Sequence, residues 1–127
     1  MNPKGITILP SPYTVTETID RLQAFLLAHG ATIYARIDQS AEVSKATLQM
    51  PPLEFIMFGN PKAGGPIMIE NPIAALDLPL KIIAWEDEES KVWLAYNDAA
   101  FIEERYALSQ NPNSPLNLAN LVANALK

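Results

Sequence analysis

Residues 78–98 read LPLKIIAWEDEESKVWLAYND, and this stretch decides the fold class. Its first half, residues 80–85, is a mostly apolar run, and over residues 91–96 apolar side chains alternate with others. The acidic segment between them, residues 86–90, is typical of an exposed turn. Because two strands joined by so short a turn pair antiparallel, we predict a β-hairpin here.

An amphipathic helix is predicted over about residues 14–29. Thr14 and Glu17 have the spacing of a capping box, in which the threonine hydroxyl and the glutamate carboxylate each accept from a backbone amide of the first turn. One face of the helix carries apolar residues at helical spacing, namely Val15, Ile19, Leu22 and Leu26. Gly30 ends the helix, because the residue just past a helix must often adopt a positive φ.

Three more strands are predicted outside the hairpin. They lie around residues 6–9, over residues 32–37 and over residues 53–58. The last of these is apolar apart from Glu54, which suits a central strand. Since consecutive strands joined by a tight turn favour antiparallel pairing, we predict an α+β fold, an antiparallel sheet with helices packed on one face.

Further helices are predicted between the strands and after them. Two short helices begin at Pro66 and Pro72, since proline is well tolerated at the first position of a helix. Asp98 is predicted to cap a helix over about residues 99–107, and residues 114–115 open a last helix.

The composition excludes several kinds of chemistry. The chain has 127 residues, which fits one domain over residues 1–127, and it contains no Cys and one His. Without Cys it can form no disulfide, no thiolate nucleophile and no zinc–cysteine site, and one His cannot build a multi-histidine centre. We therefore predict neither a metal nor a cofactor.

Charge and hydropathy indicate which partners to expect. The net charge of −5 opposes binding to duplex nucleic acid, where Lys and Arg supply most of the affinity. No apolar run approaches the ~20 residues of a membrane span, and residues 1–5 lack the apolar core of a signal peptide. We expect a cytoplasmic protein that binds neither nucleic acid nor membrane.

The segment Gly59–Gly65 is the first candidate for a ligand site. It reads GNPKAGG and is predicted to be a loop, because it is rich in turn formers. Lys62 supplies a positive charge, Gly64 lets the backbone approach a ligand, and consecutive amides after Asn60 can cradle an anion. The spacing is not that of a P-loop. The alternative is a rigid connector that needs glycine and proline for its backbone angles.

Carboxylates form the second group of candidates, namely Asp77, Glu86, Asp87 and Asp98. Asp77 and Glu86 are candidates for acid–base catalysis beside a lysine electrophile, and paired carboxylates also suit a hard cation such as Mg²⁺. The simpler interpretation makes Asp87 a turn former and Asp98 a helix cap.

Aromatic residues of the hairpin are the third group. On the predicted register Trp85 and Trp93 are cross-strand neighbours, so they can form a platform for a flat ligand, and Tyr96 points to the other face. The interpretation that we favour places these aromatics in the core beneath the helices. His29 falls in the last turn of the first helix, where a cation complements the helix dipole.

Sequence blocks between residues 58 and 98 resemble a known family. In chain order they are FGNPKAG at 58–64, ALDLPLK at 75–81, WED at 85–87, VW at 92–93 and YND at 96–98. In order and spacing they are similar to the bacterial and archaeal family called domain of unknown function 302. The resemblance implies a TATA-binding-protein-like fold of order β-α-β(4)-α over nearly the whole chain. It brings no established activity, substrate or cofactor.

One position departs from that family. Its members commonly carry His directly after the Asp that matches Asp38, whereas this chain has Gln39 there. We therefore expect no metal-binding or proton-transfer role at this position.

These observations lead to three ranked functional hypotheses. The first is a module for a small molecule or anion, using the Gly59–Gly65 loop together with Trp85, Asn97 and Asp98. Such a site requires Lys62, Trp85 and Asn97 to share one open pocket. The alternative is a homodimeric interaction protein that joins two copies through a sheet face or edge. An enzyme ranks third, because Cys and His serve most nucleophilic and general-base chemistry near neutral pH.

Overall fold

A five-stranded antiparallel sheet is the centre of the computed structural model, which describes residues 2–111 and 113–127. The strands are β1 (Ile6–Ser11), β2 (Thr32–Asp38), β3 (Leu53–Gly59), β4 (Leu80–Glu86) and β5 (Val92–Asn97). The α-helices are α1 (Val15–Ala28), α2 (Gln39–Lys45), α3 (Pro61–Glu70), α4 (Ala99–Arg105) and α5 (Ala119–Ala125), and a 3-10 helix spans Pro72–Asp77. This order confirms the α+β prediction. Of the helices described, none is long and apolar enough to cross a membrane.

The predicted hairpin forms and fixes the middle of the sheet. The spatial strand order is β1-β5-β4-β3-β2, and Trp85 lies opposite Trp93 in the β4–β5 pair. Asp87 stabilises the turn, because its carboxylate accepts from two backbone amides of the turn at 2.9 Å each. The indole Nε1 of Trp93 donates to the other oxygen of Asp87 at 2.9 Å, and this bond lowers the pKa of the Asp87 carboxyl.

The helix α1 has the predicted ends and the predicted apolar face. Thr14 Oγ1 accepts from the Glu17 amide at 3.1 Å, and Gly30 adopts a φ of +78° just past the helix. The apolar face packs against β3, β4, β5 and α5, and its core partners include Ile56, Ile82, Leu94 and Val122. Burial of this face, at roughly 25 cal/mol per Å² of apolar surface, holds the helix on the sheet.

Glu54 is a buried charge on the inner strand β3, and its carboxylate has partners. Its carboxylate accepts from Thr16 Oγ1 of α1 at 2.5 Å and pairs with Arg36 of β2 at 3.2 Å. Arg36 also pairs with Asp20 of α1 at 2.7 Å. A buried ion needs such partners to offset its desolvation, so this group ties α1 to the two strands.

Three local predictions differ from the structure in whole or in part. The Gly59–Gly65 segment is no loop, because α3 begins at Pro61 and contains Pro66 in its interior. Asp98 is the N-cap residue of α4, as predicted, but its carboxylate makes no capping bond and accepts a hydrogen bond from Thr7 Oγ1 instead. The last helix begins at Ala119 rather than at residues 114–115. Pro112, in the segment before the last helix, lies outside the described residues.

The two tryptophans also differ from the favoured prediction. Side chains alternate along a strand, and the helices cover the face that carries Ile82, Ala84 and Leu94. Trp85 and Trp93 therefore lie on the opposite face, where both are half-buried, and they do not fill the core beneath the helices. Tyr96 does point the other way, as predicted, and is buried in the core. Burial raises the pKa of the Tyr96 hydroxyl.

Candidate functional site

A cleft of about 440 Å³ opens beside α3 at one end of the sheet. We call it the apolar cleft, and define it by Leu26, His29, Phe58, Asn60, Gly64, Met68, Leu80, Asn117 and Leu118. It is built from the C-terminal end of α1, the end of β3, one side of α3, the start of β4 and the segment before α5. Phe58 and Leu118 are buried in the core below, so the cleft has a fixed apolar floor.

The wall that α3 provides is set by Asn60. The Asn60 side-chain oxygen accepts from the Lys62 amide at 2.9 Å, and its backbone carbonyl accepts from the Gly64 amide at 2.8 Å. Pro61 occupies the first helical position, where its missing amide hydrogen costs nothing. The sharp exit from β3 and the direction of α3 follow from this cap.

Gly64 leaves the cleft open at the middle of α3. It lines the cleft, and a Cβ built on it would meet no atom within 4 Å. The neighbouring Gly65 is equally open, but it does not line the cleft. The glycine pair in this helix therefore includes one position that shapes the cleft and one that does not.

Polar groups at the edge of the cleft are mainly hydrogen-bond donors. Asn60 and Asn117 both accept a capping bond through Oδ1, the second from the Ala119 amide at 3.1 Å, so their Nδ2 groups are the atoms left to donate. The ring of His29 stacks on Phe25 with the centroids 4.0 Å apart. Its Nδ1 lies 2.8 Å from the Phe25 carbonyl, which can only accept, so Nδ1 carries a hydrogen and Nε2 is left for a ligand.

Only part of the predicted ligand set comes together. Asn60 and Gly64 line the apolar cleft, whereas Lys62 is exposed on α3 and is not among the residues lining it. Asn97 ends β5 opposite Ile6 of β1, and Asp98 follows it. Both residues therefore lie at the end of β5, next to the edge strand β1, and β4 separates them from β3, the strand that leads into α3.

Trp85 is at the far end of the sheet. The register pairs Phe58 with Leu80 near the cleft and Leu53 with Trp85 at the other end. At a rise of ~3.3 Å per residue, Trp85 lies about 17 Å along β4 from Leu80. The open pocket shared by Lys62, Trp85 and Asn97 is therefore not formed in the described residues.

The two candidate acid–base residues are also separated. Asp77 ends the 3-10 helix just before β4, and Glu86 ends β4, so about 20 Å of strand lies between them. Asp77 accepts from the Tyr106 hydroxyl and pairs with Arg105 at 3.1 Å. The hydrogen bond to Asp77 raises the pKa of the Tyr106 hydroxyl. Asp77 thus joins the 3-10 helix to α4 and does not pair with Glu86.

The region around Gln39 is remote from the apolar cleft. Asp38 caps α2 by accepting from the Ala41 amide at 2.9 Å, and the Ser40 hydroxyl and this amide lower the pKa of Asp38. In the β2–β3 register Asp38 lies across from Glu54, whereas Gly59, at the cleft, lies across from Thr32 at the other end of the strand pair. Across residues 2–111 and 113–127, no three His, Asp or Glu side chains are grouped so that they could hold a metal ion.

Several residues that line the apolar cleft could not be identified from the sequence. Leu26 and His29 come from the first helix, and residues 115–118 come from the segment before α5. The apolar pattern of these residues marks them as core, and a cleft wall has the same pattern. Only the packing of distant segments distinguishes the two.

A solved structure confirms the fold. The crystal structure of an uncharacterized conserved protein DUF302 from Bacillus stearothermophilus is similar to this chain with a TM-score of 0.78. The similarity covers 98% of this chain and 97% of that one, at 15% sequence identity.

Curated relatives are longer proteins. The chain is 39% identical over 104 residues to proteins named fluoride-specific ion channel FluC 1 from Brucella suis biovar 1 (strain 1330) and Brucella abortus biovar 1 (strain 9-941). The match covers 82% of this chain but only 41% and 38% of those proteins. The chain thus spans about two fifths of their length.

The model of one protein family matches nearly the whole sequence. The match runs over residues 7–126 and is described as domain of unknown function DUF302. The chain therefore belongs to the DUF302 family.

Proposed function

We propose that this protein is a binding module for a small, mainly apolar molecule that carries a carbonyl or carboxylate group, and that the apolar cleft is its site. The observation that carries the proposal is the cleft itself, with an apolar floor and a few polar groups at its edge. Ligand sites in proteins are typically clefts of roughly 300–1,000 Å³ with this composition.

The chemistry of the lining selects the ligand class. Phe58, Leu80 and Leu118 offer apolar surface, and burial of ligand carbon against it contributes roughly 25 cal/mol per Å². The amide donors of Asn60 and Asn117 favour an accepting oxygen on the ligand. An anion remains within this class as a carboxylate, but it is bound by these amides and not by Lys62.

The curated relatives are consistent with a modular role. A segment like this chain accounts for about two fifths of proteins named as fluoride-specific ion channels. A domain that accompanies a different activity in a longer protein is suited to sense a molecule on behalf of that activity. The proposal for this chain is ligand binding, and it does not include fluoride conduction.

The test compares two substitutions in α3 that differ only in whether they face the cleft. Gly64→Leu places a side chain into the apolar cleft, and Gly65→Leu places the same side chain outside it. Both replace glycine by a better helix former, so their effects on helix stability match. The probe is octanoate, with octylammonium as its charge-reversed analogue.

We expect octanoate to bind the wild-type protein and the Gly65→Leu variant in calorimetric titrations, and its affinity for Gly64→Leu to fall at least tenfold. Octylammonium is expected to bind this cleft more weakly, since the amide groups at its edge donate. The proposed function is wrong if octanoate binds the wild type and both variants with equal affinity. It is also wrong if none of the three proteins shows saturable binding of octanoate, octanol or octanamide.

The sheet face opposite the helices supports a second candidate function, association of two copies. It carries the cross-strand Trp85–Trp93 pair, with Leu53 opposite Trp85 on β3 and Ile83 two residues before Trp85 on β4. Tryptophan is enriched at interaction hot spots. Five strands spaced ~4.8 Å apart, each of about six residues, make a face of roughly 480 Å². Two such faces together bury about 1,000 Å², which is near the lower limit for a specific interface.

Sedimentation over a concentration series tests this second candidate. Trp85→Ser is expected to shift the protein toward monomer, whereas Leu76→Ser removes an apolar side chain that is exposed on the 3-10 helix and leaves association unchanged. A wild-type protein that stays monomeric at millimolar concentration excludes the dimer.

A further inference from the structure

A second cleft, of about 450 Å³, lies on the other side of α3. We call it the acidic cleft and define it by Glu70, Glu103, Leu108, Ser109, Ser114 and Leu116. Ala63 and Ile67 of α3 line both this cleft and the apolar cleft. The two clefts therefore share a wall but differ in charge.

Glu103 is the unusual residue of the acidic cleft. Its side chain lines the cleft although the residue is only 7% exposed. In the part of the chain that the structure describes, its carboxylate takes part in no hydrogen bond and no ion pair, and its oxygens keep accessible surface at the cleft. It also lies near the C-terminal end of α4, where the helix dipole disfavours a negative charge. A carboxylate placed in this way gains from a cation that enters the cleft.

Glu70 supplies a second carboxylate in a fixed position. Its Oε2 accepts from the Ser109 amide at 2.8 Å and from Ser109 Oγ at 3.3 Å. Ser109 is placed by the end of α4, where Ala107 adopts a φ of 52° and the Leu108 amide donates to the Glu103 carbonyl at 2.8 Å. The backbone turn thus holds Glu70 at the cleft that Glu103 lines.

We propose that the acidic cleft binds a primary ammonium ion carried on a short apolar chain. An ammonium group offers three donors, and the carboxylates of Glu70 and Glu103 are acceptors. Ile67, Leu108 and Leu116 provide apolar walls for the attached carbon chain. These walls favour an organic cation over a metal ion, because a hydrated metal ion gains nothing from apolar contacts. The inference does not depend on a ligand in the apolar cleft.

The experiment titrates the whole protein with hexylammonium chloride and follows the backbone amide resonances of Ser109 and Ser114 by NMR. Glu103→Gln tests the proposal, and Glu104→Gln is the matched control, because Glu104 is the next residue of α4 and is exposed. We expect saturable shifts in the wild type, a dissociation constant at least tenfold higher in Glu103→Gln, and no change in Glu104→Gln.

A charge series on the wild-type protein keeps the test decisive if Glu103→Gln does not fold. Hexylammonium is expected to move the Ser109 and Ser114 amides at concentrations at which hexanol and hexanoate do not. The inference is overturned if hexylammonium, hexanol and hexanoate cause equal shifts, or if the two variants lose affinity for hexylammonium equally. Shifts with calcium chloride but none with hexylammonium would overturn it as well.

Discussion

The sheet with α1 and α5 and the layer formed by α3 and the 3-10 helix differ sharply in packing. In the first region Ile19, Leu22 and Ile56 have no exposed surface. In the second, α3 has no buried residue in its described span, and Ile69 is 86% exposed. One chain therefore combines a closely packed region with a layer that is held by few buried side chains.

This difference in packing suggests that the two regions have different roles, the packed region in stability and the α3 layer in binding. Protein segments with little buried apolar surface open locally at low free energy, and binding surfaces are often drawn from them. Both clefts have α3 as a wall. The floor of the apolar cleft belongs to the packed region, whereas the acidic cleft lies against α4 and the segment before α5. We infer that ligands at either cleft order α3 and leave the sheet unchanged.

The largest expected effect comes from truncating the two regions in the same way. Ile56→Ala removes a fully buried side chain and is expected to lower the free energy of unfolding by about 2–5 kcal/mol. Ile69→Ala removes the same atoms from an exposed position and is expected to change it by less than about 0.5 kcal/mol. Urea unfolding of both variants measures this. If both variants lose a similar amount of unfolding free energy, the two regions do not differ in packing as described.

A smaller effect separates the helix caps of the two regions. Thr14→Ala and Asn60→Ala each delete an N-cap side chain, which costs about 1 kcal/mol. For Thr14→Ala we expect the loss in the global free energy of unfolding, because α1 belongs to the packed region. For Asn60→Ala we expect faster amide hydrogen exchange in α3 and little global change. If Asn60→Ala lowers protection throughout the sheet, α3 unfolds together with the core.

The smallest expected effect is on the hairpin turn, at the edge of the packed region. The bond from Trp93 Nε1 holds the pKa of Asp87 below its ordinary value of 3.8. A lowered pKa stabilises the folded state above pH 3.8, and that stabilisation is lost as the pH falls through the folded-state pKa. Below pH 3.8 we therefore expect a change in tryptophan emission before global unfolding. Asp87→Asn should abolish this acid step. An unchanged step in Asp87→Asn would assign it to another carboxyl.

Much of the fold was predictable because its signals are local. The hairpin over residues 78–98 and the helix that begins after Thr14 depend on side-chain periodicity, turn formers and caps. The α3 segment was not predictable in this way. Its two glycines and Pro66 favour a loop, and it becomes a helix because Asn60 caps it and Ile67 packs against the cluster that contains Ala74 and Ile102.

Of the residues that line the apolar cleft, the sequence predicted only those in the Gly59–Gly65 segment. Asn60 and Gly64 are close in sequence to the end of a strand, and both line the apolar cleft. Trp85 and Asn97 were expected to share a pocket with this segment, but the register places them elsewhere. Glu103 gave no signal, because a glutamate in a short amphipathic helix is ordinarily exposed.

The sequence by itself determined the order of the strands, the hairpin and the ends of α1. It also determined that the side-chain chemistry includes no cysteine and only one histidine. These properties depend on residues within a few positions of one another. The tertiary structure decided which sheet face the helices cover, and where the clefts open. An alternating strand pattern has two faces, and only the docking of α1 and α5 selects the one that becomes the core. The clefts form where segments distant in sequence meet.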